Sequence, residues 1–383
     1  MFAKMSVWGW QRLLAVLAAG LFLAGCQQVQ PEKTTKQVAP VTRSVPIRVP
    51  KNKAFEAQYT ALLRFLKKEM VQKDGVYTNY RNDQQTGTKA TGHAYLSESS
   101  GLWLQHLALT RQNAAFSAFY HRTKRLFWQG HQFSYRYQPT TRTLYPVNAP
   151  VDDFRIMRSL LQMPQSKWQQ TARGLYAKFQ VTNLRANQLT DYVDASTGKR
   201  AKTLTLCYVD LATLKQLGSK AVYQKALLQV QNGHLSSAAL PLFATRLNLT
   251  DQSYTKSATI NIVESLLTAL HLSEVQALSN VTWQWVRQQV RAGQLMNRYT
   301  TTGQAAGEDQ SAAAYALAAL LAMQQHDQAT AKSALQHALA FQMQTDSPLN
   351  GGLGDAASQT VYSFDNLMTL VALDTYREGQ VTS

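Results

Sequence analysis

Ser311-Ala312-Ala313-Ala314-Tyr315-Ala316-Leu317-Ala318-Ala319-Leu320-Leu321-Ala322-Met323 is almost wholly apolar and rich in alanine. No polar face interrupts it, so a helix here should be buried on several sides. Its small side chains should let neighbouring helices pack closely. Outward from this stretch the helical period persists but becomes one-sided. Phe55, Tyr59, Leu62, Leu63, Leu66 and Met70 recur at spacings of three and four, with Lys and Glu on the other face. The same reading predicts about twelve helices, roughly over 52–73, 97–111, 113–129, 150–163, 167–180, 209–217, 219–231, 257–271, 279–293, 310–325, 327–343 and 361–378.

Three stretches read as β-hairpins between helices. Phe133–Tyr137 and Thr143–Tyr145 flank a Gln-Pro-Thr-Thr-Arg turn. Gln188–Val193 and Ala201–Leu206 flank 194–200, and a weaker pair spans Thr245–Thr255. About six helix pairs suit either an open solenoid or a closed (α/α)6 barrel. Solenoids carry a fixed repeat, and no 34- or 40-residue self-similarity is present. Hairpin insertions and uneven helix lengths favour the closed barrel, an all-α fold.

The N-terminus reads as targeting, not fold. Lys4 and Arg12 precede an apolar run, Leu13–Leu23, that is too short for a comfortable membrane span. It ends in Leu23-Ala24-Gly25-Cys26, which resembles the lipobox of bacterial lipoproteins. That resemblance implies cleavage after residue 25 and lipid on Cys26. Residues 26–50 hold Pro31, Pro40, Pro46 and Pro50 with no hydrophobic period, and read as a tether. Residues 51–383 then form one domain. Cys207 has no partner once Cys26 is lipidated, so no internal disulfide is expected and Cys207 should be a small buried hydrophobe.

The chain has 39 Lys and Arg against 22 Asp and Glu, a formal charge of +17, or +15 without Lys4 and Arg12. Such a charge favours anionic partners: lipid headgroups, wall polymers or acidic polysaccharide. No Lys/Arg run with interleaved aromatics suggests a nucleic-acid face. No Gly-rich phosphate loop, HExxH or paired Cys/His spacing is present, so neither a cofactor nor a metal is expected.

In so basic a chain, carboxylates set among small residues and aromatics stand out. Glu98 lies in Ala94-Tyr95-Leu96-Ser97-Glu98-Ser99-Ser100-Gly101-Leu102-Trp103-Leu104. This segment resembles the general-acid segment of glycoside hydrolase family 8. Ala149-Pro150-Val151-Asp152-Asp153-Phe154-Arg155-Ile156 resembles the family's second motif, an Asp-x-Asp ahead of Ile, with Val151 standing where the first Asp belongs. Asn350-Gly351-Gly352-Leu353-Gly354 and Val361-Tyr362-Ser363-Phe364-Asp365-Asn366 resemble the barrel's end in a lipoprotein branch associated with bacterial exopolysaccharides.

The resemblance implies an (α/α)6 barrel that cuts a polysaccharide within the chain, with inversion. Glu98 would be the acid. Asp153, aligned with the second Asp of the motif, would grip the sugar, with Asp152 as a displaced carboxylate or helix cap. In many members the base is an Asp directly after a Tyr near the eighth helix, but Thr255 follows Tyr254 here. Asp210, Asn261 and Glu264 stand as candidates. Sugar rings stack on aromatics, so Tyr95, Trp103, Trp128, Tyr135, Tyr137 and Tyr362 are subsite candidates. Asp365 could line the central cleft, and His93 could hydrogen-bond there. The implied protein is a monomer at the extracellular face of a bacterial membrane, lipid-anchored, with polysaccharide as its partner. A member that binds polysaccharide without cutting it, or a helical scaffold lipoprotein, would share these features.

Overall fold

The structure, a computed structural model, describes residues 55–82 and 92–379. The leader, Cys26 and the tether lie outside the described residues. Twelve α-helices follow in order: α1 Glu56–Phe65, α2 Ser97–Leu109, α3 Asn113–Phe127, α4 Pro150–Gln162, α5 Ser166–Asn183, α6 Leu211–Leu217, α7 Lys220–Asn232, α8 Ile262–Ser273, α9 Asn280–Ala292, α10 Ala312–Gln324, α11 Gln328–Leu339 and α12 Ser363–Gly379. The even-numbered helices form an inner ring. α2 packs on α4, α4 on α6, α6 on α8, α8 on α10, α10 on α12, and α12 returns to α2. The odd-numbered helices lie outside them. This is the closed (α/α)6 barrel, and the return of α12 to α2 excludes an open solenoid.

Side-chain size and polarity explain which helices are inner. In α10, Ala312–Ala319 are all buried, because alanines admit neighbours on every side. α9 is outer: Thr282, Trp283, Val286 and Val290 are its buried face, while Arg287 and Arg291 carry its polar side. Side-chain caps set several helix starts. Ser311 accepts from Ala314 N, Ser219 from Val222 N, and Asp327 from Thr330 N.

A buried polar group closes the ring. Asp374 of α12 receives His106 Nδ1 of α2 at 2.7 Å and Tyr59 Oη of α1 at 2.8 Å. Both of its oxygens are thereby satisfied inside the core.

The strands differ from the sequence reading in their partners. β1 (Tyr95–Leu96) joins β2 (Arg136–Gln138), which pairs with β3 (Thr143–Leu144) as expected. β4 (Thr203–Thr205) pairs along its length with β5 (Arg246–Asn248), while its expected partner 188–193 joins it more loosely, through a Val193–Arg200 bridge and backbone bonds from Ala201 N to Tyr192 O and from Asp191 N to Thr203 O. The 194–200 segment folds on Asp194, which accepts from Ser196 and Thr197 N, and Asp191 accepts from Thr205 N, so one edge of 203–205 meets the 188–193 arm and the other meets β5. β6 (Thr259–Asn261) pairs with β7 (Arg298–Thr300), so α8 begins at 262 rather than 257. The first helix is also shorter than read: α1 ends at Phe65 and a π-type turn, Leu66–Met70, completes it.

Asp374→Ala removes the shared acceptor of His106 and Tyr59. It should cost about 3 kcal/mol of unfolding free energy, read as a lower urea midpoint. An unchanged midpoint would deny the closure its role.

Candidate active site

The N-termini of inner helices converge on one end of the barrel. There a cleft of about 300 Å³ is lined by Glu98, Asp152, Arg155, Tyr208, Glu264 and Phe364, among others. Glu98 and Asp152 arrive on the first turns of α2 and α4. What brings them together is the small-residue run Ser99-Ser100-Gly101. A Cβ on Gly101 would stand 2.9 Å from the Arg155 Cβ, so only glycine lets α2 approach α4 this closely.

Arg155 is the hub. Its Nη1 lies 2.7 Å from Asp152 Oδ1 and 3.5 Å from Glu98 Oε2. Ser97 Oγ donates to the other Asp152 oxygen at 3.2 Å. Asp152 and Arg155 are nearly inaccessible, while 28% of the Glu98 side chain meets solvent. Burial pushes the Glu98 carboxyl up to about 7. The longer Arg155 contact opposes this incompletely, and the charges of Asp152 and Asp365 add to it. Burial raises Asp152 as well, against its closer Arg155 bond.

Glu264 lines the same cleft from the first turn of α8. Asn261 caps that helix by accepting from Glu264 N at 3.2 Å. Burial raises the Glu264 carboxyl too, with Arg246 opposing. A second cavity of about 380 Å³ shares Val263 and Phe364 with the cleft and holds Asn261, Arg298, Asp309 and Asp365. Asp365 Oδ1 accepts from Ala313 N at 2.9 Å, at the start of α10. The two cavities adjoin at Val263 and Phe364 as one trough beside Glu98.

Several expected residues stand elsewhere. Asp153, expected at the sugar, is wholly buried behind the cleft: it accepts from Phe133 N and Asn148 Nδ2, both at 2.8 Å, and holds the 133 segment to α4. The carboxylate that faces the cleft is Asp152, one residue earlier. Asp210 does not line the cleft. It caps α6 through Thr213 N, and both its oxygens receive Arg158. Although it is buried, that guanidinium holds its carboxyl well below the usual range. Asp210, His271 and Glu274 have ligand atoms within 4.8 Å of one another, the spacing of a metal site. Arg158 already binds both oxygens of Asp210 and of Glu274, so the two carboxylates are held as an ion-pair cluster, while the buried His271 Nδ1 beside them has no hydrogen-bond partner among the described residues.

Among the aromatics, Tyr135 lines the cleft. Trp103 is core, packed on His106. Tyr95 and Tyr137 belong to a ring stack with Tyr77, and Trp128 packs edge-on against Phe133. His93 stacks on Tyr77 and bonds the Tyr80 carbonyl. Tyr362 is 42% exposed and bridges Asn79, while Phe364 two residues on faces the cleft. Cys207 is buried, as expected, and also borders the cleft. Arg155, Tyr208 and Phe364 were missed by the sequence reading. Arg155 carried a signal, since it stands three residues after Asp152 and so shares its helix face.

No family model matches the sequence. Over 312 residues the chain is 29% identical to YdaJ of Bacillus subtilis (strain 168), named as a candidate lipoprotein, covering 78% of this chain and 84% of YdaJ. The solved structure of an α-amylase from Clostridium perfringens superposes with a TM-score of 0.77 at 25% identity, covering 84% of this chain and 97% of that one. Endoglucanase Cel10 of Klebsiella pneumoniae, a family 8 glycosyl hydrolase, superposes with a TM-score of 0.57 at 12% identity, covering 83% and 99%. The fold is that of the family 8 glycoside hydrolases. In this family 8-like barrel the Glu98 cleft occupies the end where the inner helices begin. Among the described residues no helix is long and apolar enough to cross a membrane.

Gly101→Val should force α2 away from Arg155 and cost about 1–3 kcal/mol by overpacking. An unaltered urea midpoint would show that the helices do not meet at this point.

Proposed function

We propose that the protein is a glycoside hydrolase that cleaves a bacterial exopolysaccharide or wall glycan within the chain, with inversion. One observation carries the reading: Glu98, its carboxyl raised to about 7, shares a cleft with Asp152, Arg155 and Glu264 in a family 8-like barrel. An inverting glycosidase needs a protonated acid beside the leaving oxygen and an ionised carboxylate that activates water on the opposite face. Glu98 suits the first task because it holds its proton near neutrality and remains open to solvent. Glu264 is the base: it enters from a different helix and lines the same cleft. Asp152, pinned by Ser97 and Arg155, has a rigid oxygen array suited to gripping sugar hydroxyls. Tyr208, Tyr135 and Phe364 offer faces to sugar rings. The +17 charge and the likeness to YdaJ support a secreted protein held to the membrane by lipid on Cys26.

The mechanism fixes the shape of the pH profile. Glu98 must be protonated, so the rate falls as pH rises through about 7. Glu264 must be ionised, and its raised carboxyl moves the acid limb upward from the ordinary Glu value. The optimum therefore lies on the acid side of neutrality, and Glu264→Gln removes the acid limb along with most of the rate.

Glu98→Gln should lower cleavage by about 10²–10⁴-fold, measured as new reducing ends from purified polysaccharide. Retained cleavage would unseat Glu98 as the acid. Tight binding by the native chain with no reducing ends after long incubation would favour a non-cleaving binder, a reading supported by the missing Asp after Tyr254.

A further inference from the structure

The positive charge is not spread evenly over the barrel. Residues 111–232 hold 18 Lys and Arg against five Asp and no Glu, whereas 233–379 hold seven against eleven Asp and Glu. In the first stretch Asp152, Asp153 and Asp210 are buried, and Asp191 is largely covered and bonded by Thr203. Asp194 is then its one surface carboxylate. Arg136, Arg155 and Arg158 are drawn inward to buried partners or the cleft, and most of the other cations sit on the outer helices and connecting turns.

Part of this surface is one continuous patch. Arg200 donates to the carbonyls of Thr182 and Asn183, which ties the 199–202 turn to the end of α5. Lys225 Nζ of α7 donates to Ala186 O at 3.2 Å, and Gln188 and Gln229 exchange two side-chain bonds. Lys178, Arg185, Lys199 and Lys202 are exposed around these links. Among the described residues, none of these cations has a carboxylate within ion-pairing distance. Two aliphatic side chains project among them: Val181 is 78% exposed and Leu228 58%. Each stands three residues from a lysine, Lys178 and Lys225, on its own helix.

We propose that this wall, built from the end of α5, the 199–202 turn and α7, docks on an anionic phospholipid surface. Cations with no carboxylate beside them gain by approaching anionic headgroups. Exposed Val181 and Leu228 gain by entering the headgroup boundary, a gain that a soluble acidic polymer does not supply. The sequence leading into the domain agrees, since residues 27–54 hold six Lys and Arg against one Glu. Because α5 and α7 run antiparallel to the inner helices they precede, the patch lies toward the rim where the cleft opens. Docking would hold the barrel on its side, with the trough open to polymer at the membrane surface.

The test uses hydrogen exchange on the full-length lipidated chain, reconstituted into vesicles of phosphatidylcholine alone or mixed with phosphatidylglycerol. With phosphatidylglycerol, exchange in 174–186 and 220–232 should slow on the order of ten-fold, and high salt should reverse the effect. Lys178→Glu, Arg185→Glu and Lys225→Glu together should abolish it, with thermal melting confirming the fold. Val181→Ser with Leu228→Ser should weaken it while leaving all charges in place. Equal exchange in the two vesicles, or slowing confined to α9 and α11, would overturn the proposal. So would slowing by soluble poly(glycerol phosphate) that phosphatidylglycerol vesicles fail to reproduce, since the partner would then be a wall polymer. Polysaccharide cleavage is not read in this experiment, so its failure is separate from failure of the hydrolase reading.

Discussion

The approach of α2 to α4 at Gly101 is the contact on which the site depends. With no Cβ there, the two helices close until Arg155 lies beside the first turn of α2. One guanidinium then serves both Asp152 and Glu98, but unequally, at 2.7 and 3.5 Å. The inequality matters more than the pairing. Asp152 receives Arg155 closely and Ser97 as well, so it is fixed. Glu98 receives only the long contact, so burial dominates and its proton is retained. A wider helix spacing would remove Arg155 from Glu98; a tighter one would ionise it.

The barrel handles its other interior carboxylates by satisfying them fully. Asp374 takes His106 and Tyr59, Asp153 takes Phe133 N and Asn148, and Asp210 takes Arg158 and Thr213. These groups tie helices and turns together, and their oxygens are occupied. An unsatisfied carboxylate in such an interior would be costly, so a loosely held one at an open cleft marks a different purpose. By this criterion Glu98 and Glu264 separate from the structural acids, although all belong to one basic chain. The excess positive charge lies outside, chiefly on the outer wall of the first half of the barrel.

Much of the architecture was legible because it rests on local periodicity. The almost wholly apolar Ser311–Met323 run reads as a helix buried on several sides, and the 3–4 spacing of Phe55 to Met70 as an amphipathic one. Most helix limits followed from caps within one or two residues. Local hairpins were legible, as in the pairing of β2 with β3 and the Leu247–Tyr254 bridge, but the distant pairing of β4 with β5 and of β6 with β7 was not, because Thr203–Thr205 and Thr259–Asn261 are too short to specify a partner. Their partners lie about 40 residues further along the chain, beyond the next helices.

The sequence by itself determined the twelve helices and the place of Glu98 at the start of one of them, since both depend on neighbours within a few turns. Only the tertiary structure decided which of Asp152 and Asp153 faces the cleft. Adjacent residues on a helix point about 100° apart, and the packing of α4 chooses between them. It also turned Asp210 into an ion-pair partner and brought Glu264 to the Glu98 cleft. Those outcomes follow from ring closure, which joins helices that no local pattern connects.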